Sequence, residues 1–133
     1  MNQLSSKYQR SIPWIRKQIF EYEPPYHIYE SRAVTVIADA TFFGMRKDKL
    51  GVLVFKDVIT NKILIWKHIE SEKLKEYIYL KDELLSKGFI INGITVDGKR
   101  GLFRALEEFP VQMCHFHQKM IIHRYLTRRP KLE

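Results

Sequence analysis

The stretches TVIADATFFG (35–44) and GITVDGKRGL (93–102) decide the fold, because each runs from β-branched and apolar residues directly into an aspartate. The first aspartate is Asp39 and the second is Asp97. Valine, isoleucine and threonine are enriched in strands, so we predict that both aspartates lie at or near the ends of strands. No glycine or proline follows Asp39 before Gly44, and a turn at Asp39 is therefore not obvious from the sequence.

The composition predicts one folded domain. Of the 133 residues, 45% are hydrophobic and 13% are aromatic, which is enough for a core. No apolar run approaches the roughly 20 residues that span a bilayer, and the N-terminus lacks the apolar region of a signal peptide. We therefore expect a soluble, cytoplasmic protein without a membrane partner. Its single cysteine, Cys114, excludes an internal disulfide framework.

The charge favours a polyanionic partner, with nucleic acid as the first candidate. Lysine and arginine number 23 against 15 aspartates and glutamates, a net charge of +8. The alternative is a basic intracellular protein whose charge has no specific partner, and whose basic C-terminal segment is a solvated helix end. The predicted DNA-contacting residues, mostly near the two termini, are Arg10, Arg16, Lys17, Lys99, Arg100, Arg124, Arg128, Arg129 and Lys131.

Residues 1–30 are predicted to form a helical arm that ends in a linker. Ser11 is a suitable N-cap, Pro13 suits the first helical turn, and the helix is predicted to run to about Tyr22. The two prolines of EPPYH (23–27) then end it. Residues 31–133 form the main domain.

The main domain is predicted to be α/β, with the element order β-β-β-α-β-α-β-α. Three antiparallel strands followed by parallel crossovers give a mixed five-stranded sheet flanked by helices. Asn61 is predicted at the hairpin turn, Ser71 as the cap of the long helix and Gly88 as its end. The predicted strands are 33–40, 50–57, 62–69, FIINGITV (89–96, expected to be buried on both faces) and VQMC (111–114); the predicted helices are 72–87, KRGLFRALEEF (99–109) and HFHQKMIIHRYL (115–126).

The two aspartates predict a metal site if their strands are neighbours in the centre of the sheet. Adjacent strands lie about 4.8 Å apart, so the carboxylates would reach one cation. Mg²⁺ or Mn²⁺ prefers oxygen ligands, and paired metals activate a water or a 3′-hydroxyl in phosphodiester chemistry. The alternative is structural: Asp39 as a turn former, and Asp97 as a turn former or the cap of the following helix.

The ordered set ADATFFG, GVLVFKDVITNKILIWKHI, GITVDGKRGL and FPVQMCHFHQK resembles bacterial insertion-sequence transposases of the Mutator-like DDE group, over about residues 34–131. This resemblance implies a ribonuclease-H-like catalytic domain, cleavage of DNA at transposon ends and strand transfer, with Mg²⁺ as cofactor. It matches Asp39 and Asp97 to the first two metal-binding aspartates, and Cys114 and His117 to the C-x-x-H motif. It also implies that residues 1–30 are the remnant of a DNA-binding region.

The chain departs from this pattern at the third acidic ligand, a glutamate that the family carries well downstream of C-x-x-H. After His117 the only acidic residue is Glu133, while Glu107 and Glu108 precede the motif. We therefore expect a truncated transposase that is inactive alone. We also expect that a partner protein or a second copy of the chain covers the sheet face that the truncation leaves exposed. The alternative functions are a catalytically inert DNA-binding protein that uses its basic termini, and a nuclease that takes a ligand from a partner.

Cys114, His115, His117 and His123 leave two interpretations open. C-x-x-H supplies half of a tetrahedral zinc site, whereas a buried Cys114 would act as a small apolar residue. Met113, Met120, Ile121 and Ile122 are predicted to pack in the core rather than bind a cofactor. Trp14 and Trp66 are also predicted to be packing residues, and the alternative for Trp14, which lies in the basic helix, is contact with nucleic acid.

Overall fold

The computed structural model describes residues 1–23 and 30–127. The helices are α1 (Asn2–Tyr8), α2 (Ile12–Glu21), α3 (Leu74–Ser86), α4 (Leu102–Ala105) and α5 (His115–Thr127), with one 3₁₀ turn at Arg46–Asp48. The strands are β1 (Ala33–Phe42), β2 (Gly51–Asp57), β3 (Ile63–Ile69), β4 (Ile90–Val96) and β5 (Val111–Met113). The element order from β1 onward confirms the predicted β-β-β-α-β-α-β-α. Among the described residues, no helix combines the length and apolarity needed to cross a bilayer.

The strands form a mixed sheet in the order β3-β2-β1-β4-β5. The β1–β2 and β2–β3 pairs are antiparallel, and the β1–β4 and β4–β5 pairs are parallel. This confirms the predicted α/β class, and the arrangement is consistent with a ribonuclease-H-like fold. It also confirms that the first and fourth strands are neighbours in the centre of the sheet.

One face of the sheet, here called the core face, is covered by α3 and α4. Because successive side chains of a strand point to opposite faces, Val34, Val36 and Ala38 of β1 all lie on this side and are buried. The same cluster includes Leu53, Phe55, Tyr77, Leu80, Leu84, Ile94, Val96, Leu102 and Leu106. Burial of this apolar surface fixes which way the side chains of β1 and β2 point.

The opposite face, here called the open face, is only partly covered. Ile37, Asp39 and Val54 are half-buried there. α2 packs against the β2–β3 side of this face: Ile15 is buried, and the ring of Phe20 lies 5.0 Å from the ring of His68. The candidate metal-binding side chains, Asp39 and Asp97, belong to the part of the open face near β1 and β4.

Several local predictions are confirmed. The Oγ of Ser11 accepts a hydrogen bond from the backbone N–H of Trp14 at 3.4 Å, with Pro13 in the first turn of α2. Asn61 adopts a left-handed φ of 61° between β2 and β3, a conformation that asparagine tolerates better than most residues. Gly88 follows α3 with φ 89°, as expected for a glycine that ends a helix.

Other local predictions are wrong. α3 begins after Lys73 without a side-chain cap, so Ser71 is not its N-cap. α4 is limited to one turn, and a short α1 precedes the predicted arm helix. β4 is not buried on both faces, since Ile90 and Asn92 are exposed. The predicted linker prolines lie outside the described residues.

The prediction of a buried C-terminal helix is also wrong. Met120, Ile121 and Ile122 of α5 are exposed, as is Trp14 of α2. In α5 the apolar residues are spread around the helix rather than gathered on one side, so no single face directs it onto the sheet. Cys114, Met113 and Trp66 are half-buried.

Candidate active site

Asp39 lies on the open face because the alternation of β1 puts it there. Its neighbour Ala38 is buried on the core face, and in the β1–β2 register Asp39 pairs with Val54. Asp39 is therefore within a regular strand and not in a turn, which leaves the turn-former alternative without support. A strand holds this carboxylate at a fixed position in the centre of the sheet.

Asp97 follows the last residue of β4 and is near Asp39. In the parallel β1–β4 pair, Ile37 is level with Thr95, and the same register carried two residues further brings Asp39 level with Asp97. Neighbouring strands are about 4.8 Å apart. The carboxylate of Asp97 also acts electrostatically on that of Asp39. Asp39, within β1, and Asp97, directly after β4, are therefore close to each other.

The pKa of Asp39 is raised above its ordinary value. Burial is the main cause, because a charged carboxylate is less well solvated there, and the negative charge of Asp97 adds to the effect. The imidazole of His117 and the backbone N–H of Ala40 act in the opposite direction. The net result is a carboxyl group whose pKa lies above its ordinary value.

Asp97 also has a local structural role. Its Oδ1 accepts a hydrogen bond from the backbone N–H of Lys99 at 3.0 Å, which closes a tight turn after β4. The N-cap of α4 is Gly101, so Asp97 forms a turn but does not cap the helix. One oxygen used in this way leaves the second, Oδ2, for another partner.

His117 is the one half-buried side chain of α5 between residues 115 and 126, and it lies near Asp39. Its Nδ1 is buried and has no hydrogen-bond partner among the described residues. The other half of the motif, Cys114, continues the β4–β5 pairing by donating its backbone N–H to the carbonyl of Val96 at 2.6 Å. The C-x-x-H motif thus joins β4 to α5 and brings an imidazole to the aspartate pair.

The zinc interpretation gains no support from these positions. Within residues 1–23 and 30–127, no three or more His, Cys, Asp and Glu side chains converge as a metal-binding group. The Nε2 of His115 is instead 2.7 Å from the Nε2 of Gln112.

The two carboxylates of this site are suitable ligands for a hard divalent cation. Asp39 and Asp97 supply oxygen ligands, which Mg²⁺ and Mn²⁺ prefer. A cation there would offset both the burial of Asp39 and its repulsion from Asp97. The buried, unpartnered Nδ1 of His117 is a further polar atom close to the pair.

The sequence did not single out Tyr77 of α3, which packs beneath this site. Its hydroxyl donates to Oε1 of Glu72 at 2.6 Å. Burial is the main cause of its raised pKa, and the negative charges of Glu72, Asp97 and Asp39 raise it further. In the sequence, Tyr77 recurs with apolar residues on one face of a predicted helix, a pattern that predicts only packing. No sequence signal placed Tyr77 near the aspartates.

The predicted DNA-contacting residues are dispersed. Arg16 forms an ion pair with Asp48 (Nη2 to Oδ1, 3.3 Å), and Lys17 is 3.7 Å from Glu21 on the exposed side of α2. Arg10 stacks on Trp14, with its guanidinium carbon 5.2 Å from the ring. Other predicted residues lie just after Asp97 (Lys99 and Arg100) or on exposed α5 (Arg124), whereas Arg128, Arg129 and Lys131 lie outside the described residues.

No protein-family model matches this chain, and no curated protein matches it. One solved structure that it matches is described as the simian T-cell lymphotropic virus intasome in complex with the PP2A regulatory subunit B56 gamma, at 15% sequence identity with a TM-score of 0.47. That match covers 84% of this chain and 48% of the other. The chain thus spans about half the length of the chain it matches.

Proposed function

We propose that this chain is part of a DDE transposase in which Asp39 and Asp97 hold a divalent metal ion for DNA cleavage and strand transfer. The observation that supports the proposal is the β1–β4 register, in which Ile37 pairs with Thr95 and which, continued by two residues, would bring Asp39 level with Asp97. The resemblance of the ordered motifs to Mutator-like transposases gives the same two residues the same role. A bound Mg²⁺ or Mn²⁺ would activate a water or a 3′-hydroxyl and stabilise the leaving oxygen.

The protein's own residues prepare this site in two ways. Asp39 lies within β1 and Asp97 directly follows β4, so the backbone hydrogen bonds of the sheet would set the spacing of the carboxylates. His117, next to Asp39, is a positively charged group when protonated and lowers the pKa of that carboxyl. Lys99 and Arg100, two and three residues after Asp97, would contact a DNA phosphate.

Two carboxylates bind a metal ion more weakly than three. We expect this chain to bind Mn²⁺ or Mg²⁺ weakly, and not to catalyse transposition by itself. Strand cleavage by the purified chain that disappears in Asp39→Ala would contradict this expectation.

Metal binding is the primary test, measured by isothermal titration calorimetry with Mn²⁺ at low ionic strength. Asp39→Asn and Asp97→Asn should each abolish binding, since each removes a ligand while keeping the side-chain shape. Asp82→Asn is the matched control: the Asp82 side chain is 62% exposed on α3, far along the sequence from either aspartate. Binding that persists in both ligand variants would refute the proposed site.

A second candidate function is a DNA-binding protein without catalysis. The exposed helix α5 supports it, because α5 contains Lys119 and Arg124 and no acidic residue. This candidate predicts DNA affinity that falls with salt but no Mn²⁺ binding in the native protein. The calorimetric titration therefore separates the two functions.

A further inference from the structure

A groove of about 1200 Å³ runs between the N-terminal helices and the open face of β2 and β3. One wall comes mainly from α2 and the other from the sheet. Its apolar and aromatic lining includes Trp14, Ile15, Ile19, Val54, Trp66 and His68. The groove is open to solvent, so a chain-like ligand can enter it.

The groove combines exposed aromatic rings with positive charge. Tyr8, Trp14 and Tyr22 line it and are exposed. Lys87 lines it as well, and the guanidinium of Arg10 lies over the ring of Trp14. Aromatic rings beside cations form surfaces on which unpaired bases stack while their phosphates are neutralised.

This groove leads to Asp39. A smaller neighbouring cavity, of about 300 Å³, is lined by Asp39 and Lys56. Val54, Asn61 and Ile63 line both the groove and the cavity, so the two are adjacent. A strand that lies in the groove therefore continues toward the candidate active site.

His68 adds a second, independent observation. It lies in the groove wall between the rings of Phe20 and Trp66, each 5.0 Å away. Both of its ring nitrogens are buried and lack a hydrogen-bond partner within the described part of the chain. Because an unpaired buried polar atom is costly, a rotation of this ring that brings a nitrogen to an occupant with hydrogen-bonding groups at its edge would be favoured. A nucleobase has them, and an aliphatic side chain does not.

We propose that this groove binds unpaired nucleotides of a nucleic-acid strand and directs that strand toward Asp39. A duplex does not fit this role, because its base faces are already stacked and only its edges and phosphates are exposed. The groove volume accommodates on the order of four nucleotides, the lower limit of known single-strand sites. The inference rests on the proposed function, since it deepens the nucleic-acid substrate assigned to the same open face.

The test is fluorescence anisotropy with a labelled 12-nucleotide deoxythymidine strand in metal-free buffer. Trp14→Ala should weaken binding about tenfold, because base–aromatic stacking is lost. Phe103→Ala is the matched control, since Phe103 has the same 43% exposure as Trp14 but lies on α4 outside the groove. Its affinity should equal that of the native protein.

A second measurement uses the native protein and does not depend on any variant's folding. The sequence contains two tryptophans, Trp14 and Trp66, and both line the groove. The oligonucleotide should therefore quench the intrinsic tryptophan fluorescence. A duplex of equal length should quench it much less at the same concentration.

Two results would overturn the inference. One is equal affinity of Trp14→Ala and Phe103→Ala for the single strand, with no quenching in the native protein. The other is a tryptophan signal that changes with protein concentration alone while the mass doubles, which would show that the groove holds a second copy. Because the assay contains no metal, it can fail while Mn²⁺ binding at Asp39 and Asp97 succeeds, and the reverse.

Discussion

Replacing Asp57 by asparagine should destabilise the β1–β2 pair that supports the candidate site. Asp57 is the last residue of β2, is 2% exposed and pairs with Val36 of β1. Its Oδ2 accepts hydrogen bonds from Nη2 of Arg32 at 2.6 Å and from the hydroxyl of Thr60 at 2.8 Å. The asparagine keeps the shape of the side chain but removes its charge.

The expected magnitude follows from the exposure of the two partners. A hydrogen bond to a charged group contributes about 1.5–3 kcal/mol, and removing one partner of a fully buried ion pair costs about 3–5 kcal/mol. Arg32 remains 37% exposed, so water compensates part of its charge. We therefore expect Asp57→Asn to lose about 2–3 kcal/mol of unfolding free energy, or about 10 °C in Tm.

The pH dependence identifies the cause. Burial by itself would raise the pKa of Asp57, but the hydrogen bonds from Arg32, Thr60 and the backbone N–H of Ile59 outweigh it, and the pKa is lowered. A carboxyl whose folded pKa is lowered contributes stability that is present above its unfolded pKa of about 3.9. That contribution disappears as the pH falls through the folded pKa.

The assay is urea unfolding followed by circular dichroism at pH 7 and pH 3, with Glu70→Gln as the exposed control. The control should stay within about 0.5 kcal/mol of the native protein. The reasoning is refuted if Asp57→Asn matches the control at pH 7, or if its deficit does not shrink at pH 3.

Three further predictions concern the surroundings of the site. In metal-free buffer, the native protein should lose stability relative to Asp39→Asn as the pH rises above about 3.9, because burial and, to a smaller extent, Asp97 raise the pKa of Asp39. Parallel urea titrations of the two proteins that show no divergence with pH would contradict this raised pKa. Tyr77→Phe should lower the free energy of unfolding by about 1 kcal/mol, because the hydrogen bond to Glu72 is lost. In an alkaline absorbance titration, the native protein should show a tyrosine that resists ionisation, and the variant should lack it. Gly101→Ala should cost about 1–2 kcal/mol in thermal unfolding, because its φ is 87° and the new Cβ would lie 2.9 Å from a leucine of α3; an unchanged Tm would contradict this.

The sheet was predictable because its information is local. Runs of β-branched residues with period-two burial, such as the one around Val36 and Ala38, specify both a strand and the face that it buries. The aspartate that follows such a run can then be assigned to a particular strand. Turn residues such as Asn61 and Gly88 were predictable for the same reason, since each adopts a left-handed conformation that its own chemistry allows.

α5 shows where this reasoning ends. Met120, Ile121 and Ile122 are apolar, which indicates a preference for burial but not the presence of a surface to bury them against. In the described part of the chain they stay exposed. Ser71 shows a similar limit, because a capping residue is effective only if the helix begins beside it, and α3 begins at Leu74.

By itself the sequence determined which segments are strands, their order, and that two of them end in carboxylates, because alternation and turn chemistry act over a few residues. Only the tertiary structure decided that Ile37 of β1 is level with Thr95 of β4, that His117 lies near Asp39, and that Trp14 and Trp66 line one groove. These relations depend on contacts between residues far apart in the chain. Such contacts arise from the packing of α2, α3 and the sheet together, and no local pattern encodes them.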